Sequence, residues 1–222
     1  ISIIRVENGD VDVIASNGVS QLGGDDFDKC LRELVKNKYE KETGKAFDPE
    51  DFTEFDAELE KIALSQRKRT TIQIGRSLID VRREDFEEAL SSFIAQIEML
   101  CEATLDDADL EREDIKAVFL AGGSTRMPII RESINRVFGQ DPIATADVDE
   151  VVAKGAALYA AYKSDRSDLS DAQSRALDKI QVSEATSMCF GTIARSYNEN
   201  REEYELKNSV IISKGEKIPV SI

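Results

Sequence analysis

The chain has 222 residues, 41% hydrophobic and 33% charged, with 29 Lys and Arg against 44 Asp and Glu for a net charge of −15. Such a length holds one large domain or two smaller ones, and the apolar fraction is enough to bury a core. The acidic balance with no basic tract argues against nucleic acid and anionic membrane surfaces as partners, and the absence of histidine excludes Ser-His-Asp, Cys-His and His-metal chemistry within the chain.

The chain opens at Ile1 in mid-strand pattern without a methionine, so it is expected to be a piece of a longer protein. Residues 3–6 and 11–15 are β-rich runs around Asn8-Gly9, a strong hairpin signal. Gln21-Leu22-Gly23-Gly24-Asp25-Asp26-Phe27 follows, with two acids at a helix start where carboxylates favour the dipole. The plain reading of that cluster is a helix cap. Its helix carries Phe27, Cys30, Leu31, Leu34 and Val35 on one face and stops near Gly44.

Asp48-Pro49 opens a second helical stretch, whose core face is expected to be Phe55, Leu59, Ile62 and Ala63 with Gln66 beside them. Glu58, Lys61 and Ser65 share an adjacent stripe at spacings of three and four. A carboxylate, an ammonium and a hydroxyl there can hydrogen-bond a ribose and hold a base, or can be a solvated face with one Glu-Lys pair. Residues 69–74 and 78–81 predict another hairpin around Gly75-Arg76-Ser77. Phe86, Leu90, Phe93, Ile94, Ile97, Leu100 and Leu105 predict one long amphipathic helix.

The chain is organised around residues 118–130, VFLAGGSTRMPII. Val118 to Ala121 read as a short strand covered on both faces. Gly122 and Gly123 permit positive φ and close approach of another molecule. Ser124 and Thr125 are expected to cap the next helix, with Pro128 in its first turn and Met127, Ile130, Ile134 and Val137 at helical spacing. A Gly-rich turn feeding a helix start suits a phosphate or a ribose, and Arg126 adds a planar cation. A bare strand-to-helix turn is the plainer alternative.

Asp147-Val148-Asp149-Glu150 gives a capping pattern for a helix over 151–162. Its Gly155, Ala156 and Ala157 are expected to let it lie close to the sheet and the glycine turn. Residues 164–173 are polar and read as a linker or loose helix end, and from Glu184 the runs are short and β-like, over 186–193, 209–212 and 218–222. Residues 198–205 between them read as a charged tip or loop. These last residues are too few for an independent sheet and predict a truncated domain. No apolar run is long enough to span a bilayer, and the start shows no signal-peptide pattern. Cys30, Cys101 and Cys189 lack metal spacing and read as reduced core thiols of a cytosolic-type compartment, so cytoplasmic localisation is expected.

Three segments together, Leu22-Gly23-Gly24-Asp25-Asp26-Phe27-Asp28, Ala121-Gly122-Gly123-Ser124-Thr125-Arg126-Met127-Pro128 and Asp149-Glu150-Val151-Val152-Ala153-Lys154-Gly155-Ala156-Ala157, resemble the seventy-kilodalton heat-shock (DnaK-type) chaperones in order and spacing. The resemblance covers residues 1–162 well and the rest weakly. It implies an α/β fold: an actin-like ATPase lobe with a projecting helical subdomain, followed by a short β-rich segment from a truncated β-sandwich. The implied domains are 1–163 as the second ATPase lobe with a helical subdomain over about 27–105, 164–183 as linker, and 184–222 as the start of a peptide-binding β-sandwich. A mixed sheet is expected to carry 3–6, 11–15 and 116–120, with the helices near Pro128 and Asp149 against it.

The resemblance also implies an ATP or ADP site. Glu58, Lys61, Ile62 and Ser65 match the adenosine-contacting helix, Gly122, Gly123, Ser124 and Arg126 the second adenosine and phosphate segment, and Asp149 a nearby lining position. Many members carry Arg where Ile62 stands, so a stacking cation is missing. The phosphate loops, the catalytic lysine and the magnesium-binding acids are expected outside this chain, which therefore supplies no catalytic residue. Implied partners are unfolded or extended peptide segments, a J-domain co-chaperone and a nucleotide-exchange factor, in a stress-response role. The tail departs from the family: Ile180-Gln181-Val182-Ser183-Glu184 replaces a leucine-rich linker, Ser187 replaces a usual Pro, and the loop around Asn198 is longer. The coupling of ATP to peptide release is in question on that account. The alternatives are a filament-forming or small-molecule kinase protein of the actin-like group, or a non-hydrolysing nucleotide sensor; a β-rich tail speaks against the first two.

Overall fold

Asn8 and Gly9 both take positive φ, 54° and 98°, which is what a two-residue type I′ turn requires. The turn joins β1 (Ser2–Glu7) to β2 (Asp10–Ser16) as an antiparallel pair with a register shift between Ile3 and Ile4. The computed structural model describes residues 1–144, 147–165, 169–178, 181–186, 188–198 and 203–218. Ile180, Ser187, most of the loop after Asn198 and the end of the expected last strand lie outside the described residues.

α1 (Gly24–Thr43) begins with Asp25 and Asp26 in its first turn, and the Gly23 N–H donates to the Asp26 carboxylate at 3.1 Å. It ends at Gly44, whose φ of 67° closes the helix in the left-handed conformation. Phe27, Leu31, Val35 and Tyr39 are its buried stripe.

α2 (Glu54–Gln66) starts at Thr53, whose hydroxyl accepts from the Asp56 N–H while the Asp56 carboxylate accepts from the Thr53 N–H, a reciprocal cap. Its buried face is Ala57, Lys61 and Leu64, and the expected core residues Phe55, Leu59 and Ile62 are 66%, 49% and 49% exposed. Ala63 is half-buried and Gln66 exposed. The two stripes have the same 4-3 spacing but lie nearly opposite each other on the helix. The Ala57 stripe turns inward because its small side chain admits close approach and because Lys61 finds a buried carboxylate on α1.

β3 (Arg69–Ile74) and β4 (Ser77–Arg82) form the expected hairpin, turning at Gly75 with φ 57° and burying alternate residues Ile72, Ile74, Ile79 and Val81. The long helix expected next is two helices, α3 (Arg83–Ala89) and α4 (Ser91–Asp107). They meet at fully buried Leu90, whose ψ of −2° leaves the helical range.

β5 (Phe119–Leu120) is shorter than expected and not covered on both faces: Leu120 is buried, but Phe119 is 64% exposed. A 3-10 turn, Gly123–Arg126, takes up Ser124 and Thr125, so neither caps α5 (Pro128–Phe138). Met127 is the N-cap without a side-chain bond, and Pro128 occupies the first turn as expected. Gly139 ends α5 with φ 65°. β6 (Ile143–Ala144) runs parallel to β5. α6 (Val151–Lys163) follows a turn in which the Val151 N–H donates to the Asp147 carbonyl at 2.9 Å. Gly155, Ala156 and Ala157 are exposed, and a Cβ on Gly155 would meet nothing within 4 Å, so the expected close seating of α6 through these small residues is not found.

The tail contains α7 (Asp171–Leu177), β7 (Gln181–Ala185), β8 (Phe190–Asn198), β9 (Glu203–Ile212) and β10 (Lys217–Ile218). Glu203 to Glu205, read as loop, are the start of β9, and Thr186, Met188 and Cys189 precede β8 instead of joining it. Cross-strand pairing of Tyr197 with Tyr204, rings 5.2 Å apart, draws the charged segment into the ladder.

Two compact units result. One comprises Ile1–Gly18, Ala103–Leu110 and Ala160–Ile222, with a sheet ordered β1-β2-β7-β10 and the separate β8–β9 hairpin. β7 lies parallel to β2 and antiparallel to β10. Where one sheet is expected for 3–6, 11–15 and 116–120, the described residues have β5 paired with β6 within one unit and β2 taking β7 as its second neighbour within the other. The other unit comprises Val19–Glu102 and Glu111–Tyr159. Its core joins Phe27, Leu31 and Val35 of α1 to Phe86, Leu90, Leu120, Met127, Ile130 and Ile134. Cys101 is a buried thiol as expected, Cys30 is half-buried, and Cys189 is exposed on the tail.

Candidate functional site

The two glycine motifs and the α2 stripe all belong to the second unit, and they converge on Gly24. A Cβ on Gly24 would lie 3.2 Å from Lys61 Nζ and 3.2 Å from Ser124 Oγ. The bare backbone at the start of α1 therefore faces the ammonium of α2 and the hydroxyl of the glycine turn.

Lys61 reaches this point as a buried side chain, 9% exposed, donating to the Gly24 carbonyl at 3.1 Å and to Asp28 Oδ2 at 2.8 Å. Burial pushes the Asp28 carboxyl above its ordinary pKa; the Lys61 ammonium pulls it down, while Glu58 and Asp25 add to the rise. Ser65 donates its hydroxyl to the Lys61 carbonyl at 3.0 Å, which leaves its oxygen free to accept. Glu58 and Ile62 stand exposed on the same helix.

Gly122 has φ 90° and ψ 150°, and its N–H donates to the Val148 carbonyl at 2.7 Å. The Thr125 hydroxyl returns to the Gly122 carbonyl at 2.6 Å and closes the turn. Gly123 is exposed, and a Cβ there would sit 3.4 Å from Asp149 Oδ1. Asp149 Oδ2 lies 2.5 Å from Arg126 Nη2, so the guanidinium is tied across the turn by a solvent-facing ion pair. Such a pair adds little to stability but fixes the plane of the cation.

The stripe and the turn also share a small open depression, lined by Lys61, Leu64, Ser65, Arg83, Phe86, Glu87, Met127 and Pro128. Leu64, Phe86 and Met127 give it an apolar wall, and Ser65 and Glu87 carry acceptors there. Three contributors escaped the sequence reading. Asp28 enters the sequence pattern only as the last residue of a motif, and its 2.8 Å contact with Lys61 closes the cluster. Arg83 holds the end of α2, with Nε donating to the Leu64 carbonyl at 2.7 Å and Nη2 to the Ser65 carbonyl at 3.3 Å. Glu87 has its carboxyl pushed up, chiefly by burial, with Arg83 opposing and Glu132 and Glu84 assisting. Only a three-dimensional contact reveals Arg83 and Glu87, since no local spacing links them to the stripe.

Among the described residues no group of carboxylates and thiols could hold a metal ion, and no helix is long and apolar enough to cross a membrane. The donor set at Gly24 is an ammonium and a hydroxyl beside a bare backbone.

The family model described as Hsp70 protein matches residues 1–202. The chain is 36% identical over 160 residues to the chaperone protein HscA homolog of Actinobacillus pleuropneumoniae serotype 5b (strain L20). It is 37% identical over 166 residues to the chaperone protein HscA of Pectobacterium carotovorum subsp. carotovorum (strain PC1), and 34% identical over 160 residues to the HscA homolog of Haemophilus influenzae (strain PittEE). Each of these matches covers 72% of the present chain and 26% of the relative. The chain thus spans about a quarter of the length of the curated relatives it matches.

Proposed function

The chain belongs to the Hsp70 protein family, whose ATPase domain has an actin-like α/β fold, and from that premise we propose that its parent protein is an ATP-dependent chaperone and that this chain supplies the adenosine half of the nucleotide site. The observation that carries the proposal is the convergence of Lys61, Ser124 and Gly24 within van der Waals reach of one point. Glu58 and Lys61 hydrogen-bond the ribose hydroxyls. Ser65 accepts from the base edge. Gly122 and Gly123 let the backbone lie flat against the nucleoside, with Ser124 beside it. Arg126, oriented by Asp149, covers the outer face of the base, and Ile62 offers an apolar edge on the other side. ATP and ADP are the ligands, and the nucleoside end is what these residues contact.

On this reading residues 1–163 form the second ATPase lobe with a helical subdomain over about 27–105, residues 164–183 the linker, and 184–222 the first strands of a peptide-binding β-sandwich. Support for the last assignment comes from the β8–β9 hairpin, which exposes Phe190, Ile193, Tyr197, Leu206 and Val210. So much apolar surface on an isolated two-stranded hairpin calls for further strands to cover it. The partners are extended apolar peptide segments, a J-domain co-chaperone and a nucleotide-exchange factor, in the cytoplasm; the relatives' own name is chaperone. The same hairpin disfavours the kinase and filament readings.

The test is peptide release from the full-length protein. A fluorescent extended apolar peptide is bound, and its dissociation is followed with and without ATP. Faster release with ATP is expected. Release that ignores ATP, in a protein that binds ATP, would refute the chaperone reading.

A further inference from the structure

Lys61 and Asp28 form the most enclosed ion pair among the described residues, with side chains 11% and 9% exposed. The pair joins two helices whose other buried residues include apolar Phe27, Leu31, Val35, Ala57 and Leu64. It also leaves an acceptor unused: Asp28 Oδ1 is buried and makes no hydrogen bond, although it too lies 2.8 Å from the ammonium. Burial of a charge with a spare lone pair is costly, so the arrangement calls for another account.

The geometry of the ammonium provides it. Lysine has three N–H donors. One goes to Asp28 Oδ2 and one to the Gly24 carbonyl. The ammonium and Ser124 Oγ each stand 3.2 Å from where a Cβ on Gly24 would lie, so the two meet at the bare face of that glycine. A lysine side chain is long and flexible, and its rotamer freedom is lost whenever it is fixed by a ligand. Asp28 fixes it before any ligand arrives, from the first turns of α1. Ser124 is fixed independently, by the 3-10 turn.

We propose that Asp28 is a positioning residue for nucleoside recognition: it holds the Lys61 ammonium at Gly24 so that Lys61 and Ser124 together meet the vicinal hydroxyls of a ribose. The proposal rests on the reading that Lys61 contacts the nucleoside. It predicts that Asp28 acts only through Lys61 and only on the sugar, never on the base.

The experiment is an ADP titration of the full-length protein and its variants, repeated with 2′,3′-dideoxy-ADP, with folding checked by circular dichroism. The unmodified protein is expected to prefer ADP over the dideoxy analogue. Lys61→Met should weaken ADP about tenfold, the scale of one charge-assisted hydrogen bond. Asp28→Asn should weaken ADP by a similar factor while leaving dideoxy-ADP nearly unaffected, so that the ribose preference collapses. The double variant should bind ADP no more weakly than Lys61→Met alone. Asp28→Glu retains the charge and guards against loss of folding in Asp28→Asn; its extra methylene moves the ammonium off Gly24 and should also reduce the ribose preference. A merely structural carboxylate would change ADP and dideoxy-ADP affinity equally. If Lys61→Met binds ADP as the unmodified protein does, the underlying reading of Lys61 fails. If Lys61→Met weakens ADP but folded Asp28→Asn or Asp28→Glu retains full ribose preference, or if the single effects simply add, the positioning role is overturned while that reading survives.

Discussion

Adjacent glycines in the central turn should respond in opposite ways to the same substitution. Gly122 has φ 90° and ψ 150°, and a Cβ there would meet nothing within 4 Å. The cost of Gly122→Ala is therefore purely conformational, about 1–3 kcal/mol for an L residue in a region populated by glycine. Gly123 has no positive φ, and its added methyl would sit 3.4 Å from Asp149 Oδ1, an ordinary contact. Gly123→Ala should leave stability within about 0.5 kcal/mol or raise it slightly by restricting the unfolded chain. The assay is urea unfolding followed by helical circular dichroism, which reports mainly on the unit containing α1 and α2. With a urea slope of about 2 kcal/mol/M, Gly122→Ala should lower the midpoint by about 0.5–1.5 M, and Gly123→Ala should leave it in place. Equal midpoints for the two variants would refute the backbone argument and with it the geometry assigned to the turn.

Thr53→Ala should cost about 1 kcal/mol by removing the cap of α2. Thr53 donates to the Asp56 carboxylate through its hydroxyl and its N–H, holding that carboxyl below its ordinary value of 3.8. A carboxyl lowered on folding stabilises above 3.8 and loses that contribution as pH falls through the folded value, so Asp56→Asn should flatten the acid limb of a stability-pH profile. Phe27→Ala, at a 2% exposed position, should cost about 3–5 kcal/mol, whereas Phe55→Ala, at a 66% exposed position, should stay within about 0.5 kcal/mol; comparable losses by thermal melting would contradict the assigned face of α2. Cys101 is buried with its thiol pushed up to about 11, so alkylation of the native protein at mildly alkaline pH should modify exposed Cys189 first and Cys101 only on unfolding.

Local backbone chemistry carried most of what could be read in advance. Asn8-Gly9, Gly44 and Gly75 each mark a turn or helix end by a conformation that few residues adopt, and Pro128 marks a helix start. Those signals need no tertiary context. The face of α2 did need it. Phe55, Leu59 and Ile62 repeat at the same spacing as Ala57, Lys61 and Leu64, and hydropathy favours the first set. The second is inward because Lys61 has Asp28 to meet, a partner thirty-three residues away. The partner of β5 is likewise a non-local choice: its two residues carry no register information, and β6 supplies only two more. The stripe residues Glu58, Lys61 and Ser65 were visible as a pattern, but their role stayed ambiguous until family resemblance joined them to the glycine turn. Arg83 and Glu87 belong to another helix, and nothing in their local sequence points toward Ser65.

The central claim is that the turn at Gly122-Gly123 carries an adenosine. ADP titration of the full-length protein with Gly123→Val, compared with Ser65→Ala and with folding verified, tests it most directly. Valine places bulk on the exposed backbone against which the nucleoside would lie, so affinity should fall by more than about tenfold, while Ser65→Ala removes one hydrogen bond and should cost less than about tenfold. Unchanged ADP affinity in folded Gly123→Val would remove the glycine turn from the site and contradict the account.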